Sequence, residues 1–315
     1  MEAWGFFLLG LVLLALGGDS IVKGASALAQ RLGASPFVAG LLLIAFGTSL
    51  PELAVNARAV WVGAQDLALG NAVGSNIVNL GLTLGVAALC APLLVRMRLL
   101  SPLLVLLIIA TLALIVLGLD GVIGRIEGGV LLLAFVAMLG FLLARGAREA
   151  EPVRGDVAAY AGPAVAWWQA LLRLGIAIAL LYFGAKFIVQ SATTLGASLG
   201  LTPLLSGLLP VAIGSALPEV AAAVAAARRG QGDMVVGHVI GSSLFNLLVV
   251  VGGMAVFRPL PLPTSFVRLE LPAAIAFAVM LLPMLRGDLR VSRGEGAVLV
   301  LAFVAWVVLE IAMLA

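Results

Sequence analysis

Two short motifs place a glutamate and hydroxyl side chains together within apolar stretches of the chain. The sequence Gly-Thr-Ser-Leu-Pro-Glu ends at Glu52, and the related sequence Gly-Ser-Ala-Leu-Pro-Glu ends at Glu219. On a helix, Thr48 and Ser49 share the face of Glu52, and Ser215 shares that of Glu219, because residues three and four apart are neighbours. Carboxylate and hydroxyl oxygens are the ligands that hard cations such as Ca²⁺ and Na⁺ prefer. The motifs therefore predict a cation site.

A proline directly precedes each of the two glutamates. Proline has no N–H and clashes with the carbonyl four residues earlier, so Pro51 should free the carbonyl of Gly47, and Pro218 that of Gly214. Unwound backbone is tolerated at membrane depth only where it faces protein or a wet cavity. Freed carbonyls are therefore predicted to add oxygen ligands beside the carboxylates.

A second motif follows each of the first, as Gly-Asn-Ala-Val-Gly-Ser-Asn-Ile-Val-Asn and as Gly-His-Val-Ile-Gly-Ser-Ser-Leu-Phe-Asn. It places Ser75 and Asn79 four residues apart, and Ser242 and Asn246 likewise. Its glycines form small-xxx-small patterns, which allow close helix packing and would bring this face against the first motif. The alternative is that the four side chains only hydrogen-bond across helices.

The two sets of motifs belong to an internal repeat. Residues 36–85 align with residues 203–252 at a constant offset of 167, and 19 of the 50 positions are identical. Each copy supplies one buried carboxylate, and two carboxylates balance one divalent or two monovalent cations. A site that accepts either, but not both together, is an antiporter site.

The composition predicts an integral membrane protein. The 315 residues are 63% hydrophobic and 10% charged, and the mean hydropathy is +1.23, whereas soluble domains are about 25% charged. Apolar runs recur at the length of about 20 residues that spans a bilayer. The ten predicted spans are 3–30, 36–61, 66–91, 99–118, 122–144, 168–196, 203–228, 233–257, 268–285 and 294–314.

A polar stretch from Arg145 to about Pro163 divides the chain. We expect a first five-helix repeat at 1–145, a linker at 146–167, interpreted as solvated, and a second repeat at 168–315. Because each half has an odd number of spans, the halves enter the membrane in opposite senses. The predicted fold is an all-α membrane protein of ten transmembrane helices in two inverted repeats, with broken helices at a central ion site.

The arginines predict the orientation of the chain. With both termini outside, twelve arginines lie on the inner side and four on the outer side, as the positive-inside rule requires. The twelve are Arg31, Arg96, Arg98, Arg145, Arg148, Arg154, Arg173, Arg228, Arg229, Arg286, Arg290 and Arg293, and the four are Arg58, Arg125, Arg258 and Arg268. This predicts a cytoplasmic linker in an inner (plasma) membrane protein, and accounts for the pI of about 9.6 without nucleic acid.

Other polar residues have simpler interpretations. Lys23 follows Asp19 by four residues, so the two are expected to form an ion pair with each other. The single histidine, His238, is interpreted as a helix-packing residue, and Cys90 as a small apolar-facing side chain. The buried glutamates could instead be structural ion-pair partners, but few cations lie within the spans to pair with them.

Together, the motifs Gly-Thr-Ser-Leu-Pro-Glu and Gly-Ser-Ala-Leu-Pro-Glu, each with its Gly-rich partner, resemble the two alpha-repeats of the calcium/cation antiporter superfamily. The closest similarity is to prokaryotic sodium/calcium exchangers, and it covers essentially the whole chain. The resemblance implies Na⁺-driven Ca²⁺ antiport by alternating access, with the first two spans of each half sliding against a more rigid bundle. The ligands that it implies are the side chains of Glu52, Thr48, Ser49, Ser75, Asn79, Glu219, Ser215, Ser242 and Asn246, and the carbonyls of Ala45 and Ala212.

Several departures from the family pattern concern the coupling ion. Ala216 stands where a serine is usual, so one hydroxyl is missing, and Asn79 and Asn246 are neutral where some members carry Asp. H⁺-driven antiport is therefore the runner-up, since membrane carboxylates also carry protons. A membrane enzyme or scaffold is a further alternative, but the site motif is duplicated and lacks a nucleophile–base pair. We expect no enzyme activity, no cofactor and no obligatory protein partner beyond the lipid bilayer.

Overall fold

The chain is a helical membrane protein in this computed structural model, which describes residues 2–163 and 165–313, except for the side chains of Ala45, Phe46 and Thr48. Within these residues, nine helices are long and apolar enough to cross a bilayer. They confirm nine of the predicted spans to within three residues at each described end, while the predicted end at residue 314 lies outside the described residues. Exposed apolar side chains such as Ile126 and Leu133 present a lipid-compatible surface.

The helices are numbered here in chain order. In the first half they are α1 (Glu2–Arg31), α2 (Pro36–Phe46), α3 (Leu50–Trp61), α4 (Gln65–Ile77), α5 (Leu84–Cys90), α6 (Leu100–Leu117) and α7 (Arg125–Gly146). The linker forms α8 (Glu151–Tyr160). In the second half they are α9 (Trp167–Ser198), α10 (Pro203–Ser206), α11 (Ala212–Arg228), α12 (Gly232–Phe245), α13 (Gly252–Phe257), α14 (Leu271–Arg286) and α15 (Arg293–Ala312).

Short irregular turns interrupt several spans. A 3₁₀ turn at Gly47–Ser49 separates α2 from α3, and π-helical turns lie at Val78–Thr83, Gly207–Val211, Asn246–Val251 and Phe266–Glu270. The predicted span 36–61 therefore consists of pieces of 11, 3 and 12 residues. Because π-turns are frequent at functional sites, their positions beside both motifs of the second half are informative.

The two prolines before the glutamates have different effects. In the first half, α3 begins at Leu50, so Pro51 occupies the first helical turn and Glu52 follows a real break in the helix. In the second half, α11 continues through Pro218, so the break expected at that proline is absent. The irregular turn lies earlier, at Gly207–Val211, and contains Pro210. Pro218 still leaves the Gly214 carbonyl without its helical donor.

The repeated segments begin with the same capping arrangement. The side chain of Ser35 accepts a hydrogen bond from the Val38 N–H at 3.2 Å, directly before the proline that starts α2. The side chain of Thr202 accepts one from the Leu205 N–H, also at 3.2 Å, directly before the proline that starts α10. A hydroxyl cap followed by proline fixes a helix start, so both repeat copies enter their spans in the same way.

The longest helices of the two halves, α1 and α9, pack against each other in opposite directions. A Cβ added at Gly10 would lie 3.1 Å from the Gly184 carbonyl oxygen, and one at Gly184 would lie 3.1 Å from the Gly10 carbonyl oxygen. Further along, a Cβ at Gly17 would lie 3.1 Å from the Leu181 backbone nitrogen. The small residues allow backbones to approach closely, as in other membrane helix pairs.

Two small antiparallel strand pairs connect the halves. The strands are β1 (Leu93–Leu94), β2 (Val122–Ile123), β3 (Leu260–Pro261) and β4 (Arg290–Val291). Leu93 lies opposite Val291, and Leu260, which is 167 residues after Leu93, lies opposite Ile123. The β1–β4 pair and the β3–β2 pair are therefore made from corresponding segments of the two halves, exchanged between them, with registers that differ by one residue.

The linker is not a plain solvated segment, and that interpretation is wrong. It forms α8, which buries Val153 and Val157 against α2. A Cβ at Gly40 of α2 would overlap the carbonyl oxygen of Val157. Ser26 of α1 donates a hydrogen bond of 2.7 Å to the carbonyl of Ala161. The linker helix has an apolar side, so it docks on the first two helices instead of remaining in solvent.

Candidate ion-binding site

The two motif glutamates line one cavity of about 300 Å³ between the halves. Pro51, Pro218 and Ser215 line it with them. Glu52 is only 3% exposed, and the Glu219 side chain is 11% exposed. The prediction that the repeats bring two carboxylates together is therefore realised in the fold. Two acidic groups in so little water need cations or protons as partners.

The glycines of the second motif allow the cross-repeat packing that was predicted. A Cβ at Gly70 would overlap the carbonyl oxygen of Leu204, and one at Gly74 would lie 2.5 Å from the carbonyl oxygen of Leu208. In the other half, a Cβ at Gly237 would lie 2.7 Å from the Ile44 side chain. Each second motif thus packs against the helices of the opposite repeat that carry the first motif.

Hydroxyl and amide groups of the two repeats meet at the first motif, three residues before Glu52. Ser49 donates a hydrogen bond of 2.7 Å to the Ser242 hydroxyl, which also accepts one of 3.2 Å from the Asn79 amide. The positions related to Ser49 and Ser242 by the offset of 167 are Ala216 and Ser75. Ala216 has no hydroxyl, and the buried Ser75 Oγ has no hydrogen-bond partner in the described part of the chain. The loss read from the sequence therefore leaves an orphaned hydroxyl on the opposite repeat.

Asn76 is a connecting residue that the sequence motifs did not single out. Its amide donates to the carbonyl of Ser243 at 3.1 Å, and its side-chain oxygen accepts from the Asn246 amide at 3.2 Å. Asn76 and Ser243 are equivalent positions of the two repeats, but they are not identical, so comparing the repeats for identity passed over them. Only the packed structure identifies Asn76 as the residue that holds Asn246.

Several site oxygens are buried and lack any hydrogen-bond partner within the described residues. They are Glu52 Oε2, Glu219 Oε1, Ser75 Oγ, Asn79 Oδ1 and Asn246 Oδ1. Buried polar atoms are normally paired, and each unpaired one costs about 1–3 kcal/mol. All five are acceptor oxygens on the repeated motifs, as expected of ligands for a hard cation.

The remaining predicted ligands have less complete descriptions. The carbonyl of the buried Ala212 accepts a hydrogen bond of 3.2 Å from the Ser215 hydroxyl. Ala45 lies near the end of α2, and Thr48 lies in the 3₁₀ turn that follows it. The side chains of Ala45 and Thr48 lie outside the described residues.

His238 lies closer to the glutamate pair than is expected of a residue that only packs helices together. Its Nε2 is 3.7 Å from Glu219 Oε1, and its side chain lines the cavity. The equivalent residue of the first half, Asn71, instead donates a hydrogen bond of 2.9 Å to Asn56. The position equivalent to Asn56 is Ala223. The second half has thus replaced a polar pair with a small residue and an imidazole that approaches the carboxylate.

The cavity extends from the glutamates toward the linker side of the molecule. Asp19 of α1 and Tyr160 at the end of α8 also line it. Asp19 accepts a hydrogen bond of 2.7 Å from Lys23, which confirms the predicted ion pair. Burial raises the pKa of the Tyr160 phenol, and the nearby Glu219 and Asp19 act in the same direction, against the opposing effect of Arg229. The phenol therefore remains neutral at ordinary pH.

Similarity to known proteins agrees with this geometry. The model of the family described as sodium/calcium exchanger protein matches residues 2–144 and 169–312. The chain is 36% identical over 306 residues to the putative antiporter CaxA of Alkalimonas amylolytica, covering 96% of each chain. It is 31% identical to the sodium/calcium exchanger MaX1 of Methanosarcina acetivorans, again covering 96% of each.

A solved structure shares the whole fold. The sodium-calcium exchanger NCX_Mj, soaked with Na⁺ and Sr²⁺, superposes with a TM-score of 0.69 at 29% sequence identity, and the match covers 98% of both chains. Identity of this extent over nearly the full length, together with the match to the family model over both halves, indicates common ancestry and a common architecture. The chain belongs to the sodium/calcium exchanger family.

Proposed function

We propose that this protein is a secondary antiporter that exchanges Ca²⁺ for Na⁺ across the membrane by alternating access. The observation that carries the proposal is the pair of motif glutamates in one cavity, together with buried oxygens on the same motifs that lack partners within the described residues. Two relatives, a putative antiporter and a sodium/calcium exchanger, support the same activity. Burying a charged side chain inside the membrane costs free energy, so such residues usually belong to functional sites. An ion transporter accounts for the two glutamates in this way.

The proposed ligands are oxygens from both repeats. They are Glu52, Ser49, Ser75 and Asn79 from the first half, Glu219, Ser215, Ser242 and Asn246 from the second, the carbonyls of Ala45 and Ala212, and the Thr48 hydroxyl. The two carboxylates together balance the charge of one Ca²⁺ or of two Na⁺. Competition for the same oxygens makes the two ions alternate, which is the requirement for antiport.

We infer that the two halves are inverted five-helix repeats, at 1–145 and 168–315, joined by a cytoplasmic linker. The exchanged strand pairs and the similar lengths of α1 and α9 support this symmetry. The arginine distribution supports termini on the outer side of the membrane. With the linker in the cytoplasm, a cavity that reaches Tyr160 corresponds to an inward-facing state.

Labelling of introduced cysteines tests the orientation. In a Cys90→Ala background, Gly155→Cys places a thiol on the linker helix, and Asp120→Cys places one at the opposite side of the membrane. A membrane-impermeant maleimide should label the residue-120 thiol in intact cells, and the residue-155 thiol only after the membrane is opened. Labelling with the reverse pattern contradicts the proposed orientation.

Transport in proteoliposomes tests the coupling ion. An outward Na⁺ gradient should drive uptake of ⁴⁵Ca²⁺ into vesicles that contain the purified protein. Uptake that responds to a pH gradient but not to Na⁺ would replace Na⁺ by H⁺ as the coupling ion. No uptake under either gradient, from folded protein, would reject Ca²⁺ antiport altogether.

Charge-neutral variants test the site. Glu52→Gln and Glu219→Gln keep the side-chain shape but remove the charge, so each should abolish exchange. Glu127→Gln, on α7 and away from the cavity, makes the same chemical change and should leave exchange intact. Elution as a single folded species should accompany the loss, and wild-type exchange in either cavity variant would contradict a shared two-carboxylate site.

A further inference from the structure

Two further buried glutamates lie outside the ion cavity, in the last two helices. Glu270, at the start of the span that continues as α14, is 2% exposed, and Glu310, near the end of α15, is 4% exposed. Among the residues that the structure describes, Glu270 Oε2 and Glu310 Oε1 find no hydrogen-bond partner. Among the ion pairs formed within the described residues, none includes either carboxylate. The positions 167 residues earlier are leucines, at 103 and 143.

The helices α14 and α15 both pack against Gly81, and this shared contact places the two glutamates at the same depth along the helix pair. A Cβ at Gly81 would lie 2.9 Å from Phe277 Cε1 of α14 and 2.9 Å from Phe303 Cβ of α15. Glu270 is seven residues before Phe277, and Glu310 is seven residues after Phe303. Seven residues are two helical turns, a rise of about 10 Å on the same face. The chain runs in opposite directions in the two helices. Moving back from Phe277 to Glu270 and forward from Phe303 to Glu310 therefore leads to the same end of the helix pair.

A buried indole adds a polar donor to the same place. Trp306 lies four residues before Glu310, on the same face of α15, and is 5% exposed. Within the described residues its Nε1 makes no hydrogen bond of normal geometry, although a buried indole N–H normally finds a partner. Its ring packs against Phe303 with the ring centroids 5.9 Å apart. The polar atoms of three buried side chains therefore converge in an otherwise apolar interface.

The arginines around the two carboxylates form no ion pair with either of them within the described residues, and Arg268, two residues before Glu270, is exposed. The neighbouring α6 has no titratable side chain. The other ionisable residues nearby lie at helix or strand ends, or in the turn that precedes α14. This holds for α14 and α15 themselves and for the elements that pack extensively against them. These residues are Asp66 of α4, Cys90 of α5, Arg268 of that turn, Arg286 of α14, Arg290 of β4, and Arg293 and Glu295 of α15.

We propose that Glu270 and Glu310 form a proton-binding site between α14 and α15, separate from the ion cavity, in which the two carboxyl groups hold a proton. Two like charges in an apolar interface cannot both remain ionised, so a proton on one carboxyl lets it donate a hydrogen bond to the other. The indole N–H of Trp306 is placed to donate to the same pair. The site supports the segment around Gly81, which also carries Asn79.

Infrared difference spectroscopy on the full-length purified protein tests the proposal directly. The spectrum of wild type minus the Glu270→Gln/Glu310→Gln variant should contain the C=O stretch of a protonated carboxylic acid at neutral pH. The single variants Glu270→Gln and Glu310→Gln should retain a shifted band, because the remaining buried carboxyl stays protonated. Glu295→Gln, which changes a partnered carboxylate on the same helix, should not alter the band.

Equilibrium binding separates a proton from a metal cation. If the protonated band is absent and the double variant binds less ²²Na⁺ or ⁴⁵Ca²⁺ than wild type, the pair is a cation site and the proposal fails. If the band is absent and cation binding is unchanged, both carboxylates are ionised and the proposal also fails. These readouts use no transport, so they are independent of the proposed exchange activity.

Thermal stability gives a second readout with a defined sign. The unfolded chain releases both carboxyl protons above about pH 4.3, whereas the folded pair keeps one. The folded protein therefore binds more protons, and its stability should fall as the pH rises from about 5 to about 8, relative to the double Gln variant. Equal slopes for the two proteins, or a rise for wild type, would overturn the proposal.

Discussion

The missing hydroxyl at residue 216 provides a quantitative test of how the two repeats form the site. Ser49 and Ser242 hydrogen-bond across the repeats at 2.7 Å, whereas the equivalent pair, Ala216 and Ser75, cannot. Ala216→Ser should restore the symmetric arrangement. The added hydroxyl lies at the end of the Gly-Ser-Ala motif, beside the proposed ligand Ser215.

The expected magnitude follows from burial and hydrogen bonding. Ala216 is 2% exposed, so a hydroxyl there has no access to bulk water. If it pairs with the orphaned Ser75 Oγ, the net gain is about 1 kcal/mol. If it finds no partner, the cost is about 1–3 kcal/mol. That gain is in folding stability; if the added hydroxyl instead binds Na⁺ with the same free energy of about 1 kcal/mol, the half-saturating Na⁺ concentration falls about fivefold.

The assay is Na⁺-driven ⁴⁵Ca²⁺ uptake into proteoliposomes as a function of Na⁺ concentration, with thermal stability measured on the same preparations. Ala227→Ser is the matched control, because Ala227 is a buried alanine on the same helix but outside the motif. It should leave the Na⁺ dependence unchanged. An Ala216→Ser protein that folds normally but keeps the wild-type Na⁺ dependence and stability would refute the pairing of residue 216 with Ser75.

Other predictions concern packing and the imidazole. Gly70→Ala should destabilise the fold by several kcal/mol, because its methyl group would overlap the backbone carbonyl of Leu204. Gly129→Ala is the control and should not destabilise it, because Gly129 faces open space. Urea- or heat-induced unfolding in detergent measures the difference. His238→Asn should weaken apparent Ca²⁺ affinity about two- to fivefold with little change in maximal rate, because Glu219 loses a neighbour that restricts its rotamers. A maximal rate that falls at unchanged affinity would show that the imidazole acts in another step.

The membrane class, the repeat and the two carboxylates could all be predicted from the sequence, because each depends on local properties. Apolar runs of bilayer length identify spans wherever they occur, and a glutamate within such a run is too costly to be incidental. The gapless offset between residues 36–85 and 203–252 identified equivalent positions without any coordinates. The absence of a hydroxyl at Ala216 could be read in the same way.

The partners of these residues could not be predicted, since they depend on how the two halves pack. A proline is equally visible at residues 51 and 218, yet only the first coincides with a helix break. The imidazole of His238 approaches Glu219 in the second half, where Ala223 stands at the position equivalent to Asn56. Glu270 and Glu310 are 40 residues apart in the chain, and only the contact of both helices with Gly81 brings them to one level. Local chemistry specified the proposed ligands, whereas long-range packing decided their neighbours and placed the cavity on the side of the linker helix.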